Sequence, residues 1–123
     1  QIAEEAGWDG CFLGDYIWCE DPMIALAAAA MTTSRIRLGT MVIPVPLRRP
    51  WKLASESVAL DRLSNGRLIL GLGTGAAWMG WQSFPDEVTE SKARAEMLDE
   101  TIDILTLLYQ RKQFDGTLIG YAC

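Results

Sequence analysis

The sequence has no histidine among its 123 residues. That absence excludes a His-assisted serine or cysteine triad, a His-ligated zinc and an imidazole general base. Cysteine is scarce too. Cys11, Cys19 and Cys123 form neither a C-x-x-C pair nor an even set, so they read as free thiols of a reducing cytoplasm. Basic residues are outnumbered, 11 Lys+Arg against 16 Asp+Glu for a net charge of −5. That is the wrong sign for binding a phosphate backbone, and no nucleic-acid partner is expected. The one basic cluster, Arg48-Arg49, is short and flanked by prolines. No long apolar run occurs either. The most hydrophobic stretch, residues 23–31, is Ala-rich and far shorter than the roughly 20 residues of a membrane span. No pair of acids has a spacing that implies a glycosidase, and no metal site is expected.

What remains is half hydrophobic and 22% charged, the composition of a globular chain. Gln1 to Gly7 reads as the last turns of a helix with Gly7 as its left-handed stop, which predicts that earlier elements of the fold are missing. Residues 8–15 form a short apolar run ending in Asp15 and predict a buried strand. Asp21-Pro22 then supplies an N-cap and a first-turn proline for a helix through Met31. A second strand covers residues 36–43, interrupted by Gly39, and ends at Pro44-Val45-Pro46. Pro50 opens a helix to Leu63, closed by Asn65-Gly66. Residues 68–73 form a third strand, followed by a Gly- and Trp-containing loop over 74–89. A last helix starts near Ser91 with Leu98, Ile102, Leu105 and Leu108 along one face, and residues 114–119 are expected to be extended.

Helices alternating with strands at about 30 residues per strand-to-strand unit are βαβ crossovers, which give parallel strands. The fold class is α/β. Three such strands cannot close a barrel, and a complete (β/α)8 barrel needs about 250 residues.

Two segments could carry chemistry. Gly71-Leu72-Gly73-Thr74-Gly75-Ala76 fits G-x-G-x-x-A, a dinucleotide fingerprint that requires a helix directly after the strand. The residues that follow, from Ala77 to Pro85, read instead as a loop that buries aromatics. The second segment, residues 39–50, combines a strand-end hydroxyl, a flat apolar run and a proline-stiffened exit. It could support a planar ligand at the carboxyl edge of the sheet, or be a plain strand and rigid loop. Asp15 is open between a ligand-facing acid and a partner for a loop amide. Trp78 and Trp81 are open between packing the loop and touching substrate.

Ile36-Arg37-Leu38-Gly39-Thr40, Pro46-Leu47-Arg48-Arg49-Pro50, Leu60-Asp61-Arg62-Leu63-Ser64-Asn65-Gly66-Arg67-Leu68 and Gly71-x-Gly73-x-Gly75 together resemble the luciferase-like flavin-dependent monooxygenase family. Gly14-Asp15 and Asp21-Pro22 fit the same pattern, and only residues 117–123 depart from it. The resemblance implies a partial TIM barrel, with residues 1–123 as a single partial domain from its N-terminal half. The first strand and the later strands would be missing. It implies FMN or the deazaflavin F420 in the barrel mouth, and oxidation or hydroxylation of a small organic substrate by the flavin. A non-proline cis peptide is expected near Met41-Val42, behind the flavin ring. Asp15, Thr40, Met41, Val42, Thr74 and Gly75 are the expected cofactor residues, with Tyr16 and Trp78 on the substrate side. No catalytic residue is assigned. Tyr16 stands where many members have a histidine, and Thr74 where some have a phosphate-holding arginine. The resemblance leaves a homo-oligomer open. Two alternatives stand beside it: an incomplete barrel without independent activity, and a Rossmann-type nucleotide-binding unit.

Overall fold

The computed structural model describes residues 1–115. The chain runs α1 (Ile2–Glu5), β1 (Gly10–Leu13), α2 (Pro22–Thr32), β2 (Arg37–Thr40), β3 (Ile43–Pro44), α3 (Pro50–Leu63), β4 (Leu68–Ile69), β5 (Leu72–Gly73) and α4 (Ser91–Asp115). Single 3-10 turns lie at Val45–Leu47, Ala77–Met79 and Trp81–Ser83. Every strand pair among the described residues is parallel, with sheet order β1-β2-β4 and a second pair β3-β5. Gly10 lies opposite Arg37, Leu38 opposite Leu68, and Ile43 opposite Leu72. The sheet is unclosed, a partial TIM-barrel arrangement.

The third strand is interrupted where the sequence predicts one run, and the second breaks after Thr40 rather than at Gly39, through which β2 continues. The Thr40 hydroxyl explains the break. It donates to the Gly71 carbonyl and accepts from the Gly71 amide, both at 2.9 Å, so a side chain replaces a rung of main-chain ladder. The Ile43 amide then rejoins at the Gly71 carbonyl, 2.8 Å away. Between them the Met41-Val42 peptide is cis, at the position the resemblance indicates. Gly71 has no room for a side chain, because a Cβ there would run into the Thr40 carbonyl oxygen.

The helix boundaries follow the local chemistry. The Asp21 carboxylate accepts from the Met23 and Ile24 amides at 2.8 and 3.2 Å, ahead of Pro22 at the first helical position. α3 stops where Asn65 and Gly66 take left-handed φ values of 57° and 75°, and the Gly66 amide returns to the Asp61 carbonyl. α4 is longer than expected, since Phe114 and Asp115 continue the helix rather than becoming extended; positions 116–119 lie outside the described residues. Its inward stripe also differs from the expected one. Arg94, Thr101 and Leu105 are buried, whereas Ile102 is 44% exposed. Ile102 sits one residue, roughly 100° of rotation, beyond Thr101 and so turns off the buried face.

The core lies between the sheet and the helices and gathers Leu26, Ile36, Leu38, Ile43, Leu53, Leu60 and Leu105. Cys11 and Leu13 pack toward it, while Phe12 and Ile69 point to the other face of the sheet and are exposed. Burying an aliphatic side chain contributes about 1.5–3 kcal/mol, which makes the helix-side layer the main source of cohesion. Two polar devices join its ends. Arg67 donates to the carbonyls of Ala30, Thr33, Ile36 and Ser64, locking the end of α2 to the start of β2. Glu4 accepts the amides of Ser34, Arg35 and Ile36, tying α1 to the same turn.

The Glu4 carboxyl is held below the usual range by the Ile36 amide first, then by the amides of Arg35 and Ser34, which together outweigh the opposing effect of desolvation. A lowered folded-state value means that the unfolded chain takes up its proton first as pH falls. The contribution is therefore complete above the ordinary carboxylate range and is lost on acidification through the folded value. Glu4→Gln should flatten the dependence of the urea midpoint on pH below about pH 5. A variant with the wild-type acid dependence would show that Glu4 carries none of it.

Candidate functional site at the carboxyl ends of the strands

In parallel α/β folds ligands lie at the carboxyl ends of the strands, where the turns into the helices leave backbone groups free. Here that edge collects Gly14 to Tyr16 after β1, Thr40 at the end of β2 with Met41 and Val42 between β2 and β3, and Thr74-Gly75 after β5. All eight residues expected at the site from the sequence therefore belong to this edge or to the loop that follows it.

Their roles differ. Thr40 is buried and its hydroxyl is engaged by Gly71, so it shapes the strand end through the backbone. Met41 is exposed, and so is Val42, whose side chain lies close enough to Gly73 that a Cβ there would fall 2.7 Å from Val42 Cγ2. At Gly71 the corresponding distance to Val42 Cγ1 is 3.5 Å. Glycine at these positions lets one valine lie flat on the strand end. Thr74 is half-buried, with its hydroxyl only loosely placed on the Gly75 carbonyl at 3.4 Å. Gly75 takes a left-handed φ of 69°, and Trp81 and Pro44 fill the space a side chain would need.

The two open tryptophans separate cleanly. Trp81 is 2% exposed and plugs the loop, whereas Trp78 is 78% exposed. Tyr16 is exposed, with its ring over Gly14. The two mouth loops approach each other at Gly80, where a Cβ would lie 3.5 Å from Trp18 and 3.7 Å from Ile17.

Asp15 meets a guanidinium rather than a loop amide. Its Oδ2 accepts from Arg48 Nη2 at 2.7 Å and Nε at 3.1 Å. The same Nη2 reaches Asp21 Oδ2 at 2.8 Å, while Asp21 Oδ1 caps α2. Burial alone would raise the Asp21 pKa, but the Arg48 hydrogen bond and the amides of Ile24 and Met23 outweigh it and hold the carboxyl below its ordinary value. Arg48 loses stability as a cation through burial and regains more from Asp15 and Asp21, so its pKa is raised. In the sequence Arg48 stands out as half of a basic pair and as part of the Pro46-to-Pro50 segment of the family resemblance, with no sign of its partners. The available signal is an arginine on a proline-stiffened strand exit, with one acid at the exit of β1 and another at the N-cap of α2.

Arg94 is not among the residues the sequence singles out. Its guanidinium lies 5.9 Å from the Trp81 ring centroid, and Nε and Nη1 have no partner among the described residues. Its phase with Thr101 and Leu105 on α4 is the one clue. A recess of about 420 Å3 lined by Ser57, Asp61, Leu70 and Tyr109 lies on the helix side of the sheet, away from the strand ends, and is separate from this edge.

After Gly75 the chain makes only 3-10 turns and loop before α4 begins at Ser91, so no helix N-terminus faces the glycines as a dinucleotide fingerprint requires. Among the described residues no helix is long and apolar enough to cross a membrane.

Comparison with known proteins agrees with this geometry. An F420-dependent glucose-6-phosphate dehydrogenase of Microbacterium testaceum is 32% identical over 127 aligned positions, covering 94% of this chain and 38% of that protein. A 4-hydroxyprotoasukamycin monooxygenase of Streptomyces nodosus subsp. asukaensis is 33% identical over 109 residues, 84% of this chain and 29% of that protein. The structure of the oxygenating constituent of 3,6-diketocamphane monooxygenase from Pseudomonas putida, in complex with FMN, superposes with a TM-score of 0.72. It is 25% identical and matches 89% of this chain and 32% of its own. The chain thus spans about a third of the length of these relatives. The family model for luciferase-like monooxygenases matches residues 1–119, and with the parallel strand order and the glycine-bare strand end the chain belongs to that family.

Proposed function

We propose that the protein carrying this chain is a flavin-dependent oxidoreductase or monooxygenase acting on a small organic substrate, with FMN or F420 at the carboxyl ends of the strands. One observation carries this reading. Gly71 and Gly73 bear no side chain, and Val42 lies against them with its outer side exposed, giving a flat apolar floor suited to a planar ring. The bound flavin supplies hydride or oxygen transfer, and the protein contributes binding, orientation and exclusion of water. Met41 and Val42 form the floor, Thr40 fixes it through Gly71, and Thr74 and Gly75 close the end of β5. Asp15 stands at the rim in its ion pair, while Tyr16 and Trp78 offer exposed aromatic surface to the substrate. This arrangement serves chemistry that needs no histidine.

A cytoplasmic location is supported by free Cys11 and Cys19. The 1–123 segment reads as one partial domain because its sheet is unclosed. The test is to express the protein from its complete reading frame and examine it for yellow absorbance or F420 fluorescence. Co-purifying or titratable flavin is expected, and a folded protein that takes up neither cofactor overturns the reading. A second reading, of a segment without independent activity, is favoured by the exposed Phe12 and Ile69 on the inner face. Flavin titration of residues 1–123 alone decides it: stoichiometric uptake by a monomer excludes that reading.

A further inference from the structure

Asp15 and Asp21 bracket residues 16–20, the part of the β1–α2 loop that holds Tyr16, Ile17 and Trp18. A single nitrogen, Arg48 Nη2, is bonded to both acids, at 2.7 and 2.8 Å. Arg48 follows the 3-10 turn Val45–Leu47, directly after β3, so it reports the position of the segment that begins with Val42. We propose that Arg48 is a positioning residue for the flavin site, pinning both ends of the 16–20 loop to the strand exit that provides the ring floor. The inference rests on the flavin reading above.

The physical case lies in the shape of the fork. Nε and Nη2 both address Asp15 while Nη2 also serves Asp21, which fixes the guanidinium plane as well as its charge. Lysine has one nitrogen and cannot reproduce those directions. The side chains are largely but not fully shielded, at 22% exposure for Arg48, 14% for Asp15 and 33% for Asp21. Without the cation, two carboxylates would face each other at the base of the loop. Each would favour solvent, and the loop would leave Gly80, against which Trp18 and Ile17 now rest.

The test uses the protein from its complete reading frame, with Arg48→Met, Arg48→Lys and Asp21→Asn variants. Asn caps a helix about as well as Asp, so Asp21→Asn keeps the Oδ1 cap of α2 but sets an NH2 donor where Oδ2 now accepts from Arg48, removing that one bond. Flavin dissociation constants should rise about ten-fold or more in both Arg48 variants and less in Asp21→Asn, as expected for loss of charged hydrogen bonds. In the flavin-free protein, chymotryptic cleavage at Tyr16 or Trp18 should accelerate by a similar factor in Arg48→Met, while the thermal midpoint falls only slightly. Unchanged flavin affinity in a folded Arg48 variant overturns the positioning role, and unchanged cleavage overturns the pinned loop. Should Arg48→Met fail to fold, Arg48→Lys and Asp21→Asn carry both measurements. A wild-type protein that binds no flavin refutes the functional reading itself and the inference with it.

Discussion

Replacing Arg67 with alanine should cost the fold about 3–5 kcal/mol, because several buried carbonyls lose their donor at about 1–3 kcal/mol for each that water cannot reach. Arg67 is 7% exposed, and among the described residues it has no acidic partner. It donates to oxygens of the main chain and one hydroxyl: Nε to Ser64, Nη1 to Ile36 and the Thr33 side chain, Nη2 to Ala30 and Thr33. Ala30 lies in the last turn of α2 and Thr33 is its C-cap, so the guanidinium sits where the helix dipole is negative and the last carbonyls lack amide partners. Alanine leaves those carbonyls buried and unpaired, at about 1–3 kcal/mol for each group that water cannot reach. Lysine keeps the charge but reaches one direction only, and an intermediate loss is expected. Equilibrium denaturation of the protein from its complete reading frame measures both variants. A loss below about 1 kcal/mol for Arg67→Ala would place the cohesion of this corner in apolar packing instead.

The same residue shows what a sequence reveals and what it conceals. Asp21-Pro22, Pro50 and Asn65-Gly66 mark helix ends by local chemistry, and all three stand where that chemistry puts them. The parallel order follows from crossover spacing in the same way. Arg67 is legible only as part of a family motif, because its partners are carbonyls, which every residue has and no sequence singles out. Thr40 is expected near the flavin, but a strand threonine gives no sign that its hydroxyl will replace a ladder rung at Gly71, 31 residues away. Asp15 and Arg48 are 33 residues apart, and their pairing depends on how two strand exits lie side by side. Ile102 departs for a different reason: its apolar character fits the stripe, but its angular offset places it outside. Local rules thus locate the elements and the edge that holds the site. The side-chain contacts that stiffen that edge are products of parallel register, which no single segment encodes.

Gly75→Ala should be among the most damaging single-methyl additions in the chain, with a loss of about 2–5 kcal/mol. That range combines a left-handed penalty of about 1–2 kcal/mol with overpacking of about 1–3 kcal/mol. The backbone there has φ 69°, and the new methyl would overlap the Trp81 ring and approach Pro44 Cβ to 2.8 Å. Neither neighbour can yield easily. Trp81 is buried beneath the Arg94 guanidinium, and Pro44 is held in register opposite Gly73. Gly66→Ala is the control. Gly66 has a similar φ of 75° but no atom within 4 Å of an added Cβ, so its cost should be the backbone penalty alone, about 1–2 kcal/mol. The difference between the two variants isolates the steric part. If that part lies at the indole, Trp81→Leu should restore some of the stability lost in Gly75→Ala, giving a favourable coupling in a double-mutant cycle. Additive losses in that cycle, or equal losses at Gly66 and Gly75, would show that Trp81 does not brace the end of β5. Flavin affinity should follow the steric part and not the backbone part, because only the collision at Gly75 displaces the strand end on which Val42 lies.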